Sequence, residues 1–462
     1  MLFRQILQDD LGCASYVIAC GGSAAVVDPQ WDISPYLELA ASQGLQITDI
    51  LLTHNHADHV SGHGRLAAAT SARIHVSAEA GAEYDHDGMK AGDSIHVGKV
   101  ELRAIATPGH RPEHMSFLVI DHARSAEPWA LLSGDFVFVG DLARPDLAVE
   151  PEEGAAAIYD SLQQLRDVDG SLEVWPGHTG GSLCGGAGMS RKPSSTLGYE
   201  RSANDLLACD DRDAFIEQLT SWLSPQPPNF QRIAELNRGS LIAEATPATS
   251  LAPARAFELL ADGAVLVDVR DPREYDAEHI AGSLNVTASA SGVGTRAAWL
   301  TDPDDRIIVN ASTDAEACET IIKLQSAGLL RSGEYLAGGI AAWRSAGLEI
   351  ESTPAIDIPT LAARIGGESA IVVMDVRESD EWEAGHLKGS VHAPFHRLRE
   401  RVPDEVRSAG DGTRIAVACS AGNRSALAAS HLRRMGVQNV DHVTDGGIAD
   451  LAKYDINLTT GD

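Results

Sequence analysis

Four apolar runs in the first 180 residues each stop at a side chain of the kind that binds metal. DILLT (49–53) leads into His54, His56, Asp58 and His59. VELRAIATPG (100–109) stops at His110, WALLSG (129–134) at Asp135, and SLEVWPG (171–177) at His178. Short runs rich in Val, Ile and Leu, bounded by Gly and Pro, predict buried strands. In α/β architectures ligands gather beyond the carboxyl ends of such strands. Four strand ends that offer imidazole or carboxylate therefore predict one pocket converging on a cation.

A chain of 462 residues is too long for one core, and about 150 residues per domain predicts about three domains. Its 36 Lys+Arg against 66 Asp+Glu leave a net charge of −30. The acids are spread throughout, which reads as solubility. A surface of this sign repels phosphate backbones and anionic bilayers, so neither nucleic acid nor membrane is an expected partner. The N-terminal residues lack a secretory pattern, and no apolar run approaches the ~18 residues of a membrane span. Six cysteines are too sparse for a disulfide framework and suit a reducing cytoplasm. Five read as small buried hydrophobes; Cys419 does not.

Two linker-like stretches, Ala245–Pro253 and Glu351–Ala355, set off segments 254–350 and 355–462 from residues 1–245. Those two segments repeat each other. VLVDVRDPREYDAEHIAGSLNV (265–286) matches VVMDVRESDEWEAGHLKGSVHA (372–393), and the Gly338-Gly339 pair matches Gly446-Gly447. The period exceeds that of a solenoid unit, so this is a duplicated domain. Each copy alternates strand-like with helical runs, which predicts a parallel sheet flanked by helices.

In the second copy, the strand-like RIAVA (414–418) runs into Cys419-Ser-Ala-Gly-Asn-Arg424-Ser, followed by a helical pattern over 425–436 with Gly436 as its stop. Backbone N–H groups of such a loop, with the positive helix end, form an anion-holding nest. A nest of this kind favours thiolate, the nucleophilic form of cysteine. Four residues separate Cys419 from Arg424, one fewer than in phosphatase loops. With DVR (375–377), Glu381, His386, Gly389 and Gly446-Gly447, residues 355–462 resemble a rhodanese domain. That likeness implies a sulfane sulfur carried on Cys419, with Arg424 adding fixed charge. The first copy has Ala311 and Glu316 at the matching positions, and so resembles a rhodanese-like domain that cannot carry sulfur.

The set His54, His56, Asp58, His59, His110, Asp135 and His178 resembles the metallo-β-lactamase fold family. The likeness implies an α/β chain: an αβ/βα sandwich followed by two rhodanese-like domains with parallel sheets. Ligand identity leaves two metal arrangements open. His54, His110 and Asp135 alone would hold one Fe(II), leaving positions for a persulfide and O2. All seven together would hold two Zn(II) bridged by Asp135, suited to hydrolysis. In the first arrangement His56, Asp58, His59 and His178 shape the pocket by hydrogen bonds. His114 is expected beside the ligands rather than among them.

Residues 106–119, 133–148 and 175–201 resemble the persulfide dioxygenase branch of that family, and the whole chain resembles persulfide dioxygenase–sulfurtransferase fusions. The resemblance implies oxidation of glutathione or coenzyme A persulfide to sulfite, with thiosulfate formed at Cys419. A glyoxalase II-like zinc thioester hydrolase is the alternative. The resemblance also leaves room for a homo-oligomer. Arg144 reads either as an anchor for a substrate carboxylate or as the ion-pair partner of Asp146. Arg191, Lys192 and Tyr199 read as a landing site for a carboxylated thiol or as solvated surface. Cys184, six residues after His178, reads as a sulfur relay or as core.

Overall fold

Along Cys13–Cys20 and Ser23–Val27 almost every side chain is buried, as expected where a sheet is covered on both faces. The computed structural model describes residues 1–8, 10–186, 188–367, 371–410 and 412–461. Asp462, the last residue of the expected third domain, lies outside them. The chain divides into two compact units, one built on Met1–Ala245 and one on Thr246–Gln325 and Leu329–Asp462.

The first unit holds two six-stranded sheets. One runs in the order Leu2–Gln8, Cys13–Cys20, Ser23–Val27, Gln46–Leu51, Arg73–Ser77, Asp87–Met89; the other runs Ser195–Thr196, Glu173–Pro176, Ala130–Gly134, Met115–Asp121, Val100–Ala106, Ser94–Val97. Period-two alternation sends Tyr16, Ile18, Val27 and Leu51 inward against Leu102, Phe117, Val119 and Leu132 of the facing sheet. The intervening Val17, Val26 and Ile50 pack outward with Tyr36 and Leu66, carried by helices Ser34–Gln43 and His63–Thr70. On the far side, Leu131 and Val174 meet Ile158, Leu162, Phe215 and Leu219 from helices Pro151–Leu162 and Arg212–Thr220. Each fully buried Leu, Ile or Phe contributes roughly 1.5–3 kcal/mol to this αβ/βα sandwich.

The second unit contains two five-stranded parallel sheets. Their orders are Thr249–Leu251, Glu334–Leu336, Ile307–Asn310, Val265–Asp268, Leu284–Asn285 and Ala355–Ile356, Val440–Val443, Arg414–Ala418, Ile371–Asp375, Val391–His392. Identical strand order in both confirms the duplication. The DVR motif has a structural reason: Arg270 and Arg377 each turn back on the aspartate two residues earlier, Nη2 to Oδ2 at 2.6 Å in both. Nη2 then donates to the carbonyl of Glu278 or Gly385 at 2.8 Å, pinning the corner after the strand.

The two stretches read as linkers are partly sheet. Thr249–Leu251 and Ala355–Ile356 are edge strands of three and two residues, too short for any hydrophobic period to show. The helix expected over 425–436 runs Asn423–Arg434, because the sulfur loop itself forms its first turn. Among the described residues, no helix is long and apolar enough to cross a membrane.

Candidate metal centre and sulfur loop

His54, Asp135 and His178 follow directly, or within three residues, the strands Gln46–Leu51, Ala130–Gly134 and Glu173–Pro176; His110 stands four residues beyond Val100–Ala106. All are buried. Ring orientation follows from counting protons. Thr53 Oγ1 gives its one hydroxyl proton to Asp28 Oδ2 at 2.8 Å, so it must accept from His54 Nδ1 at 2.9 Å. His110 Nδ1 donates to the Arg144 carbonyl at 2.9 Å. Both rings therefore present a bare Nε2. Those two atoms stand 4.0 and 3.4 Å from Asp135 Oδ2, and none of the three has a hydrogen-bond partner.

Unpaired buried acceptors are costly, and three of them within 4.8 Å of one another are what a divalent cation would satisfy. Burial, then the neighbouring His56, His110 and His114, holds His54 well below the ordinary imidazole range. Burial likewise lowers His110. Both stay neutral, the form that ligates. Burial opposes charge on Asp135, but His178 and His110 outweigh it and keep the carboxylate ionised. The residues fit a metal.

The other four predicted residues are arranged differently. Asp58 is engaged by protein donors: His178 Nε2 at 2.9 Å and Cys13 Sγ at 3.2 Å on Oδ2, His59 Nδ1 at 3.1 Å on Oδ1. His178 Nδ1 donates to Asp135 Oδ1 at 3.0 Å. His56 keeps both ring nitrogens, and His59 its Nε2, without a hydrogen bond; these two group with Asp58 rather than with His54. His114 sits beside the ligands: Nε2 accepts the Asp135 N–H at 3.0 Å, and Nδ1 donates to Thr107 Oγ1 at 2.8 Å.

The expected substrate contacts divide. Arg144 is fully buried and forks onto Asp146 at 2.6 and 2.8 Å, with Nη1 on the Leu183 carbonyl and Nη2 on that of Ser224. The ion-pair reading holds there, and the guanidinium is a strut between loops. Arg191 and Lys192 are exposed, with the Lys192 ammonium 5.4 Å from the Tyr199 ring centroid. Cys184 is buried against Phe138, Ala143 and Met189, yet its sulfur groups with Asp135 and His178.

Three residues escaped the sequence reading. Asp28 accepts the Thr53 N–H at 2.8 Å and lies 3.1 Å from His56 Nε2. Its signal was present: AAVV (24–27) ends at Asp28, the same strand-then-carboxylate pattern. Asn237 Nδ2 donates to the carbonyls of His56 and His59, both at 2.8 Å, and clamps the ligand loop. Cys13 is the third, and no local pattern marked either it or Asn237.

In the second unit, Cys419 lies between strand Arg414–Ala418 and helix Asn423–Arg434. The Gly422 N–H donates to its sulfur at 3.0 Å, and Ser425 Oγ lies 3.4 Å away. Arg424 Nη2 reaches Glu381 Oε1 and Ser420 Oγ, both at 2.8 Å. In the other copy Ala311 replaces the cysteine, and the Ser312 N–H is taken by the chain's own Glu316 carboxylate at 3.0 Å. That loop is closed by an internal anion.

Comparison with known proteins agrees with this geometry. The model of the metallo-beta-lactamase superfamily matches residues 9–178, and that of the rhodanese-like domain matches 253–346 and 358–453. A hydroxyacylglutathione hydrolase of Polaromonas sp. is 37% identical over 171 residues, 36% of this chain and 61% of that protein. Another, from Anaeromyxobacter dehalogenans, is 31% identical over 250 residues, 53% of this chain and 92% of that protein. The chain spans 61%, 63% and 60% of the length of the first three such relatives. A crystal structure of a metallo-beta-lactamase from Staphylococcus aureus superposes with a TM-score of 0.64 at 31% identity, covering 73% of this chain and 98% of that one. With its strand-end donors, its sandwich and its paired parallel sheets, this chain belongs to the metallo-beta-lactamase superfamily and carries two rhodanese-like domains after the first domain.

Proposed function

We propose that the chain is a non-haem Fe(II) persulfide dioxygenase joined to a sulfurtransferase. The observation that carries this reading is the grouping of three bare donors, His54 Nε2, His110 Nε2 and Asp135 Oδ2, in one cluster, while Asp58 and His178 satisfy each other. Two imidazoles and one carboxylate suit a single ferrous ion, which when bound supplies activation of dioxygen. The residues around it do the rest. Thr53, the Arg144 carbonyl and His114 lock the donors in place. Overall, one low-molecular-weight persulfide, one O2 and one water give thiol, sulfite and two protons.

The sulfite then meets the sulfur loop. A persulfide transfers its outer sulfur to the Cys419 thiolate and leaves as the thiol. Sulfite attacks that outer sulfur, the S–S bond breaks, and thiosulfate departs as the electron pair returns to Cys419 Sγ. The Gly422 N–H, 3.0 Å away, is placed to receive the developing charge.

A second reading, a dinuclear zinc thioester hydrolase fused to rhodanese-like domains, is favoured by the names of the curated relatives and by the unpaired His56 Nδ1 and His59 Nε2. Purified full-length chain separates the two. Iron near one per chain, with oxygen uptake on glutathione persulfide, supports the first. Two zinc ions, cleavage of S-lactoylglutathione and no oxygen uptake would establish the second.

A further inference from the structure

The middle module has Ala311 where the last module has Cys419, yet it reaches the sulfur loop of the last module through one buried ring. His442, on strand Val440–Val443, is 1% exposed. Its Nδ1 lies 2.7 Å from Asp276 Oδ2, and its Nε2 lies 2.9 Å from the Gly422 carbonyl oxygen. Asp276 is itself buried and belongs to helix Pro272–Ala277 of the middle module. That helix and the sulfur loop also share a cavity of about 470 Å³, lined by Pro272, Arg273, Ala421, Asn423 and Thr444 among others. Arg273 closes one side by pairing with Asp445.

Gly422 is the pivot of the loop. Its φ of 99° lies in the left-handed region, where only glycine sits without strain. Its N–H faces Cys419 Sγ, while its carbonyl accepts from three donors, the Ala426 N–H of the helix's first turn, Ser425 Oγ and His442 Nε2, each at 2.9 Å. Carbonyl and amide of one peptide plane point in opposite directions, so holding this oxygen outward also turns the Asn423 N–H inward. A carbonyl can only accept, so His442 must carry a proton on Nε2. Asp276 Oδ2, against Nδ1, aims that ring.

We propose that Asp276 is a positioning residue for the sulfur loop: the middle module orients His442, and His442, with Ser425 and the Ala426 N–H, holds the Gly422 carbonyl at the turn whose Gly422 N–H serves the Cys419 sulfur. This deepens the sulfurtransferase reading and rests on it for its function, though the geometry stands apart from it. The middle module is then a fixed support for its active copy, which accounts for its retaining the fold without the thiol.

The test uses full-length protein, with transfer of sulfur from thiosulfate to cyanide and, separately, the rate at which iodoacetamide alkylates Cys419, read by peptide mass spectrometry. Asp276→Ala and His442→Ala should each lower kcat and alkylation about tenfold, the size of one lost charge-assisted hydrogen bond, with KM little changed. The double variant should be no worse than either single one, because both act on one peptide. Asp276→Asn should recover most of the loss, since its amide N–H can donate to Nδ1 and hold the Nε2–H tautomer. Should either alanine variant fail to fold, Asp276→Ser, too short to reach the ring, replaces it. Wild-type kcat and alkylation in the Asp276 variants, or losses that multiply in the double variant, would overturn the proposal. If the wild-type chain transfers no sulfur but alkylation still depends on Asp276, the sulfurtransferase reading fails and the positioning role stands.

Discussion

Asp135 divides its oxygens between two tasks: Oδ1 accepts from His178 at 3.0 Å, and Oδ2 faces His54 and His110. Asp135→Ala removes both at once. It should cut retained metal more than about 100-fold, beyond the ~10–100-fold typical of residues that only support a ligand. Metal analysis after dialysis reads this, and sulfur transfer at Cys419 should persist. His63 offers a second test, of pH. It is buried against Tyr84, and burial drops its pKa from 6.5 to about 3. A histidine with a depressed folded pKa costs nothing above 6.5. Below that the unfolded chain takes up a proton that the folded chain refuses, so stability falls by about 1.4 kcal/mol per pH unit until about 3. Urea unfolding of metal-free His63→Phe should show a pH slope shallower by that amount between pH 6.5 and 5.

At the scale of elements, the Gly446-Gly447 pair was legible as a repeat feature, but its purpose was not. A Cβ on Gly447 would sit 2.3 Å from the Ser420 carbonyl oxygen and 2.5 Å from that of Cys419. The glycine exists so that one backbone can lie on another, with the Ile448 N–H donating to the Cys419 carbonyl at 3.0 Å. Gly447→Ala should destabilise the second unit by about 1–3 kcal/mol through overpacking, and displace the sulfur loop. A lowered unfolding midpoint together with lost sulfur transfer is the expected result; unchanged transfer would show that the loop tolerates the shift. Strand ends were the most readable elements, since an apolar run closing on a ligand is a local pattern. The two short edge strands were not, because two or three residues carry no period. Arg144 shows the same limit: its spacing from Asp146 was visible, but its burial and its contacts to Leu183 and Ser224 come from distant segments.

At the scale of the whole molecule, the donor cluster and the sulfur loop rest on different cores, one formed by the facing sheets of the first unit and the other by the paired modules of the second. Cys419→Ser should therefore leave oxygen uptake on glutathione persulfide within about twofold while abolishing thiosulfate formation, since the two sites share no residue and no core. A collapse of both activities would mean the two chemistries are not separable. Ligand types, their place after strands, the duplication, and the loss of thiol and arginine from one copy were all readable along the chain. Each is a pattern of composition and spacing within a few dozen residues. Folding alone decided which lone pairs are left bare, that Glu316 plugs the idle loop, and that Asp276 meets His442 across 166 positions. Hydrogen-bond partners are assigned by proximity in space, and proximity between distant segments exists only once the sheets have packed.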